Sequence, residues 1–375
     1  MRTSRLAVLL AAGCAAVFLA TLVFAQEGPQ TPSSDTVAKP RKPTGAEGAQ
    51  PEEEKTIPSE YKKKDEVPEA TFRSNATTVS VDVAVLDNKG RFIPNIPTGN
   101  FRVLEDNVPQ KIETTAKGEA PMTVCLLIEF SGAFQWYGSQ TWYQTLVASY
   151  GFAQTLKKED YIAIIAYDMK PEILSDFSTD RTKTYEALQR LRMPGMSEAN
   201  LFDALVETEE RMENIEGRKA IVLLSSGVDT FSKLTFDKAR KRIQEAGVPV
   251  FAIGLMQALR IMADSRMSGP QQLEFLQADN QVKTFSKETG GQAYFPRFYG
   301  EFPGIYQAIS EALRNQYTFT YHPTNQARDG SFRRIKVELV NPATNEPLRV
   351  VDEKQKPIKY QIIARQGYKA PREVE

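Results

Sequence analysis

Histidine occurs once in the 375 residues, at His322, and cysteine twice, at Cys14 and Cys125. A single imidazole excludes multi-histidine metal sites. It also argues against a histidine-based catalytic triad, since His322 directly precedes Pro323 at the end of a strand-like run. An excess of charge of one sign is missing too, because 47 basic and 47 acidic side chains cancel. Nothing therefore argues for nucleic acid or an anionic membrane surface as the main partner.

Cys14 falls inside an apolar stretch from Leu6 to Ala25 that follows Arg2 and Arg5. A basic start, an apolar middle and small residues around Val23-Phe24-Ala25 predict that residues 1–25 are a signal peptide, with Gln26 first in the mature chain. The stretch is also about as long as a bilayer span, so an N-terminal anchor is the alternative. The residues after Cys14 stay apolar, which counts against lipid attachment there. The expected location is outside the cytoplasm: periplasmic, secreted or anchored at the envelope, with membrane contact only through that anchor. Cleavage leaves Cys125 as the one thiol, so no internal disulfide is possible, and within its apolar run it reads as a small buried hydrophobe.

The remainder is rich enough in apolar residues, 41% overall, to build a large core. Residues 26–69 are the exception. Pro, Glu, Lys, Ser and Gly dominate, and such a composition cannot bury enough surface to offset ordering entropy, so a disordered linker is expected. Residues 70–118 read as a β segment: Val79, Val81, Val83 and Val85 alternate with smaller or polar residues up to a turn at Asp87-Asn88-Lys89-Gly90, and "NFRVLEDNVPQKIET" repeats the pattern.

From residue 119 to 316 the texture changes. "TVCLLIEF", "YIAIIAY", "AIVLLSS" and "PVFAIGL" are nearly continuous apolar runs, as in strands of a parallel sheet covered on both faces. Helical candidates lie between them at Tyr143 to Leu156, Thr182 to Leu191, Leu201 to Ile215, Thr235 to Ala246 and Gln271 to Glu288, with Gly247 and Gly290-Gly291 as stop signals. A last helix, "GIYQAISEALRNQ", follows. This alternation predicts an α/β domain with a Rossmann-like, doubly wound, mostly parallel sheet. Residues 317–375 return to strand-like pieces, "YTFTYHP", "FRRIKVELV", "LRVV" and "YQIIA". They are too few to stand alone, so they are expected to pack with residues 70–118 as an accessory β-sandwich-like unit.

The ordered succession "NFRVLEDNVPQKI", "LKKEDYIAIIAYD" with "FSTDRT", "NLFDALVE", "GRKAIVLLSSGVDT", "AGVPVFAIGL", "ETGGQAYFP", "LRNQYTFTYHPTN" and "GSFRRIKVEL" with "ARQGYKAP" resembles the von Willebrand factor type A domain in its exported bacterial, acidobacterial-type form. The resemblance covers about residues 70–370. It implies a ligand-binding domain whose usual metal-ion-dependent adhesion site is D-x-S-x-S after the first strand, a Thr in a second loop and an Asp in a third. Mg²⁺ suits such a site because it demands a near-octahedral shell of oxygens.

At the matching positions this chain has Glu129, Ser131 and Ala133 in the first loop, Ala199 in the second and Ser226 in the third. Only Ser131 matches outright, and Glu129 carries an extra methylene. The expectation is a degenerate site with no metal cofactor. The alternative is rescue, in which Glu129, Ser131, Ser225, Ser226 and Asp229 gather oxygens for Mg²⁺ or the more tolerant Ca²⁺. Ser197, two residues from Ala199, could also take the second-loop position.

The two tryptophans fall directly after the first loop, in "FQWYGSQTWYQ". Phe134, Trp136, Tyr137 and Trp142 are therefore candidates for a metal-independent partner surface, since ligands of open α/β sheets bind at the carboxyl ends of strands and exposed Trp and Tyr dominate interfaces. Against this, Trp142 and Leu146 form an i, i+4 pair that suits a core face. A second cluster, "YFPRFYGEFPGIY", should emerge at the same edge, with Phe295, Phe302 and Tyr306 stapling the last helix. "ETGGQAYF" lacks the Lys-Ser/Thr of a phosphate loop, Asp203 and Glu207 read as a solvated helix face, and "KARKR" at 238–242 reads as surface. The expected function is a non-enzymatic exported interaction or adhesion module for a protein or cell-surface polymer. A divalent-cation-dependent adhesion domain is the alternative, and an exported hydrolase lacks an assembled nucleophile, base and orienter.

Overall fold

Four of the apolar runs lie side by side in a sheet. The computed structural model describes residues 78–117, 120–132, 139–192, 197–257, 260–261, 268–351 and 356–372. The signal or anchor and linker expectations fall outside these residues. The central strands are β5 (Met122–Glu129), β6 (Tyr161–Tyr167), β8 (Arg218–Ser225) and β9 (Val250–Gly254). With β10 (Ala293–Tyr294) and β7 (Pro171–Ser178) they form one sheet in the order β10-β9-β8-β5-β6-β7, parallel throughout except for β7.

These strands are apolar at every position because each face meets a helical layer. Val124, Leu126 and Ile128 of β5 join Ile162 and Ile164 of β6 and Val222 and Leu224 of β8 on one face. There they pack under α1 (Ser139–Thr155), α2 (Arg181–Arg190) and α6 (Phe302–Arg314). Cys125 and Leu127, with Ala163, Ile165, Ile221 and Leu223, point to the other face, under α3 (Leu201–Met212), α4 (Phe236–Ala246) and α5 (Gly269–Thr289). Each fully buried Val, Leu or Ile contributes about 2 kcal/mol, so this double-sided burial is the main source of cohesion.

The stop signals hold. Gly247 and Gly290 end α4 and α5 with φ of 67° and 85°, the left-handed region that a side chain would disfavour. Gly291 has a different reason: a Cβ there would sit 2.0 Å from the carbonyl oxygen of Val250. At the amino edge of the sheet, buried Asp160 accepts from the backbone N–H groups of Met122 (3.2 Å) and Lys157 (2.7 Å) and pairs with Arg314 at 2.6 Å, tying β5 to the end of α6.

The flanking segments form two antiparallel sheets. In one, β1 (Val79–Asp87) lies between β13 (Tyr360–Ala364) and β11 (Tyr317–Tyr321), with β4 (Ile112–Lys117) beyond β11. In the other, β12 (Phe332–Leu339) lies between β14 (Gly367–Lys369) and β2 (Phe101–Glu105), with β3 (Val108–Pro109) at the edge. Val79, Val81, Val83 and Val85 face Phe101, Val103, Ile335 and Val337 across a shared core, the alternation expected of a sandwich. The opposite face of β1, through Ala84 and Leu86, joins the core under α6.

Two elements differ from expectation. β7 has no counterpart among the sequence-predicted strands, because as a solvated antiparallel edge it lacks the apolar run of its neighbours. "LRVV" forms no strand. Val351 makes only an isolated bridge to Pro357, and prolines at 347 and 357 remove the donors a ladder needs.

Candidate functional site

The carboxyl ends of β6, β5 and β8 place three polar residues in one row. Glu129 is in register with Tyr167, and the step after the Ile128–Leu224 pair brings Ser225 to its other side. All three follow the alternation of Cys125 and Leu127, so they share the face covered by α3.

Glu129 is 0% exposed, and its carboxylate accepts from several protein donors. Ser131 Oγ donates to Oε1 at 2.7 Å. Oε2 accepts from Ser225 Oγ at 2.8 Å and from the Ser226 backbone N–H at 2.7 Å. Ser226 Oγ lies 2.9 and 2.8 Å from the two oxygens, and Tyr167 Oη lies 3.3 Å from Oε2. A buried carboxylate depends on such donors, since desolvation otherwise penalises the charge by several kcal/mol. Burial, then the adjacent Glu129 charge, raises the Tyr167 pKa well above its ordinary value, so the phenol stays a donor. It lies 2.8 Å from Ser225 Oγ, which also accepts from the Gly227 N–H at 2.8 Å. Tyr167 escaped the sequence reading. The available signal was the equal level at which "YIAIIAY" and "TVCLLIEF" end.

The other loops close around this row. Ala199 is buried, its carbonyl accepting from the Thr230 N–H at 2.8 Å. Asp229 is turned toward α3: its Oδ1 accepts from the Phe202 N–H at 3.0 Å and from Ser232 Oγ. Burial raises its pKa, against these hydrogen bonds. Asp203, read from sequence as part of a solvated face, instead accepts from the N–H groups of Lys233 (2.8 Å) and Leu234 (3.1 Å). Two carboxylates thus brace the first turn of α3 against the loop after β8, where the helix dipole favours negative charge. Ser197 meets the first loop by accepting from the Gly132 N–H at 2.7 Å, while its hydroxyl oxygen and Asn200 Oδ1 are buried with no hydrogen-bond partner. Among the described residues no group of three or more His, Cys, Asp or Glu side chains is arranged to hold a metal.

Of the aromatic candidates, Phe134, Trp136 and Tyr137 lie outside the described residues, as does Ala133. Trp142 is not a surface residue: it is 5% exposed, its ring lies 5.0 Å from that of Phe130, and its indole N–H donates to the Arg192 carbonyl at 3.0 Å. The i, i+4 relation with Leu146 marked a core face. Phe302 and Tyr306 are likewise buried and stacked at 5.8 Å, with Tyr306 edge-on to Phe152. What is exposed at this edge is Met169 (54%), Phe231 (67%) and Phe298 (69%), in the loops that follow β6, β8 and β10. Met169 and Phe231 were missed because isolated apolar residues in loops carry no periodic signal.

Residues 124–292 match the family model of the von Willebrand factor type A domain. No curated protein sequence matches the chain. Among solved structures the chain is similar to proximal thread matrix protein 1 from the mussel byssus, at 11% identity and a TM-score of 0.40 over 56% of this chain and 51% of that one. It is also similar to the PilB minor pilin from Streptococcus sanguinis (11% identity, TM-score 0.35, 52% of this chain and 61% of that one). A third is the vWF domain of the type V pili tip protein Mfa5 from Porphyromonas gingivalis (14%, 0.36, 52% and 97%). The match spans about half the length of the thread matrix protein.

Proposed function

Residues 124–292 form a von Willebrand factor type A domain, and from that premise we propose that the chain is an exported, non-enzymatic interaction module that binds its partner at the carboxyl edge without a metal ion. The observation that carries this reading is the state of Glu129. Its oxygens already accept from three serine hydroxyls, a backbone N–H and a phenol, so a small hard cation would have to displace buried donors to reach them. Ala199 has no side-chain oxygen and its carbonyl is taken by the Thr230 N–H, and Asp229 is engaged with the first turn of α3. Recognition then rests on shape and apolar contact. Met169, Phe231 and Phe298 supply exposed apolar surface at the rim, and Trp136 and Tyr137 stay candidates on their sequence position alone. Export follows from the N-terminal pattern of residues 1–25. The partner class is a protein or a cell-surface polymer.

One observation favours a cation-dependent alternative: the buried Ser197 hydroxyl has no partner, and its residue is bonded to Gly132 beside Ser131. Calorimetric titration of the mature chain with Mg²⁺, Mn²⁺ and Ca²⁺ separates the two. The metal-free reading expects no saturable heat. Saturable binding that disappears in Ser131→Ala or Ser197→Ala establishes the alternative. His322 does not serve the buried serines, since it sits at the end of β11 with Glu113 and Thr78. Partner binding is tested by pull-down from envelope extract with Trp136→Ala and Phe231→Ser variants. Loss of capture with an unchanged melting temperature supports the carboxyl edge, and undiminished capture by both refutes it.

A further inference from the structure

The charges that cancel over the whole chain do not cancel locally. A cavity of about 950 Å³ opens at the amino edge of β9 and β10, where α4 and α5 meet β12 and β13. It lies opposite the carboxyl edge and is independent of the reading given for that edge. Six cationic side chains line it against one carboxylate, Glu288. That carboxylate is already taken by Arg240, whose Nε donates to it at 2.8 Å, and Lys336 pairs with Glu338 at 2.8 Å. The side chains of Lys283, Lys287 and Arg334 make no ion pair within 4 Å among the described residues, although Lys283 lies over the Phe295 ring and feels the charge of Asp279, and Asp106 accepts from the Arg334 backbone N–H at 2.9 Å. Arg365 donates through Nη2 to the Ser80 carbonyl at 2.7 Å, while its Nε is buried with no acceptor.

Gathering six cations around one concavity with a single carboxylate costs self-repulsion that the contacts of Lys283 with Phe295 and of Lys287 with its helix end only partly offset, so the excess marks a place for an anion. The rest of the lining narrows the choice. Gln244, Gln361 and Gln366 are carboxamides, which both donate and accept as sugar hydroxyls require, and Phe332 offers an apolar face. A simple oxyanion needs neither these groups nor this volume. Lys283 and Lys287 come from α5 and Arg240 from α4, whereas Arg334 and Lys336 come from β12 and Arg365 from the segment after β13, so an occupant touches both the type A domain and the sandwich. We propose that this cavity binds a segment of an acidic, uronate-bearing glycan, its carboxylates on Lys283, Lys287 and Arg334 and its hydroxyls on the carboxamides. Arg240 belongs to the "KARKR" run that sequence reading assigned to an ordinary helix surface.

The test is calorimetric titration of the full chain with oligogalacturonate, a neutral oligosaccharide of equal length, inorganic phosphate and a single-stranded oligodeoxynucleotide of equal charge. Oligogalacturonate should bind, weakening about tenfold as sodium chloride rises from about 50 to about 300 mM. Lys287→Glu with Arg334→Glu, both at exposed positions, should weaken it by at least about tenfold without moving the melting temperature. Absence of oligogalacturonate binding at low salt overturns the proposal. So does equal or tighter binding of the neutral sugar, phosphate or oligonucleotide, or wild-type affinity in the double variant.

Discussion

Replacing Glu129 by methionine tests the central arrangement, because the side chain keeps its length and loses every acceptor. Four of its five donors would be stranded, the hydroxyls of Ser131, Ser225 and Ser226 and the Ser226 N–H, while the Tyr167 phenol keeps Ser225 Oγ at 2.8 Å. The hydroxyls can turn toward one another and recover part of the loss. The amide cannot, and a buried donor without a partner costs about 1–3 kcal/mol. With the incomplete recovery of the hydroxyls, a loss of about 3–4 kcal/mol is expected, or a fall in melting temperature of roughly 10 °C for a unit of this size. Glu129→Gln keeps a carbonyl for the Ser226 N–H and presents an amide to hydroxyls that can rotate to accept, so about 1 kcal/mol is expected. Urea denaturation of the three proteins measures both differences. A methionine variant within about 0.5 kcal/mol of the wild type would refute the argument that the carboxylate is held as an integral acceptor. Stabilisation of the wild type by several degrees in magnesium, absent from Glu129→Gln, would refute the metal-free reading.

Glu209 is buried, with one oxygen accepting from the Val248 N–H at 3.1 Å and the other without a partner, and burial raises its pKa well above the ordinary 4.5. The folded state then holds a proton that the unfolded state releases, so stability declines as pH rises from 4.5 through the folded pKa. Glu209→Gln should remove that decline, and identical pH slopes of the urea midpoint in the two proteins would contradict it. Arg314→Met leaves Asp160 buried without its cation, at an expected cost of about 3 kcal/mol. Adding Asp160→Asn should recover part of that cost, whereas strictly additive losses in the double-mutant cycle would deny the coupling. Gly291→Ala forces a Cβ onto the Val250 carbonyl and should cost about 3 kcal/mol or prevent folding, while Gly300→Ala, with open space at its Cβ, should be neutral in the same melting assay.

The doubly covered sheet was legible in the sequence because two-sided burial demands continuous apolar strands, and helix ends announce themselves through glycines that local geometry requires. The sandwich was legible through the alternation of Val79 to Val85 and the need of lone strands for partners. The departure of the first loop from D-x-S-x-S is a comparison of residue types, so it too was readable in one dimension. What only the tertiary structure decided is how the surviving oxygens are used. Tyr167, Glu129 and Ser225 meet because three strands end at the same level in a specific register, and Asp229 turns to α3 because that helix starts beside it. Likewise the six cations of the amino-edge cavity are scattered from residue 240 to 365, and only the docking of the sandwich against α4 and α5 brings them together. Periodicity and composition are local properties of a chain; register and the meeting of distant segments are not.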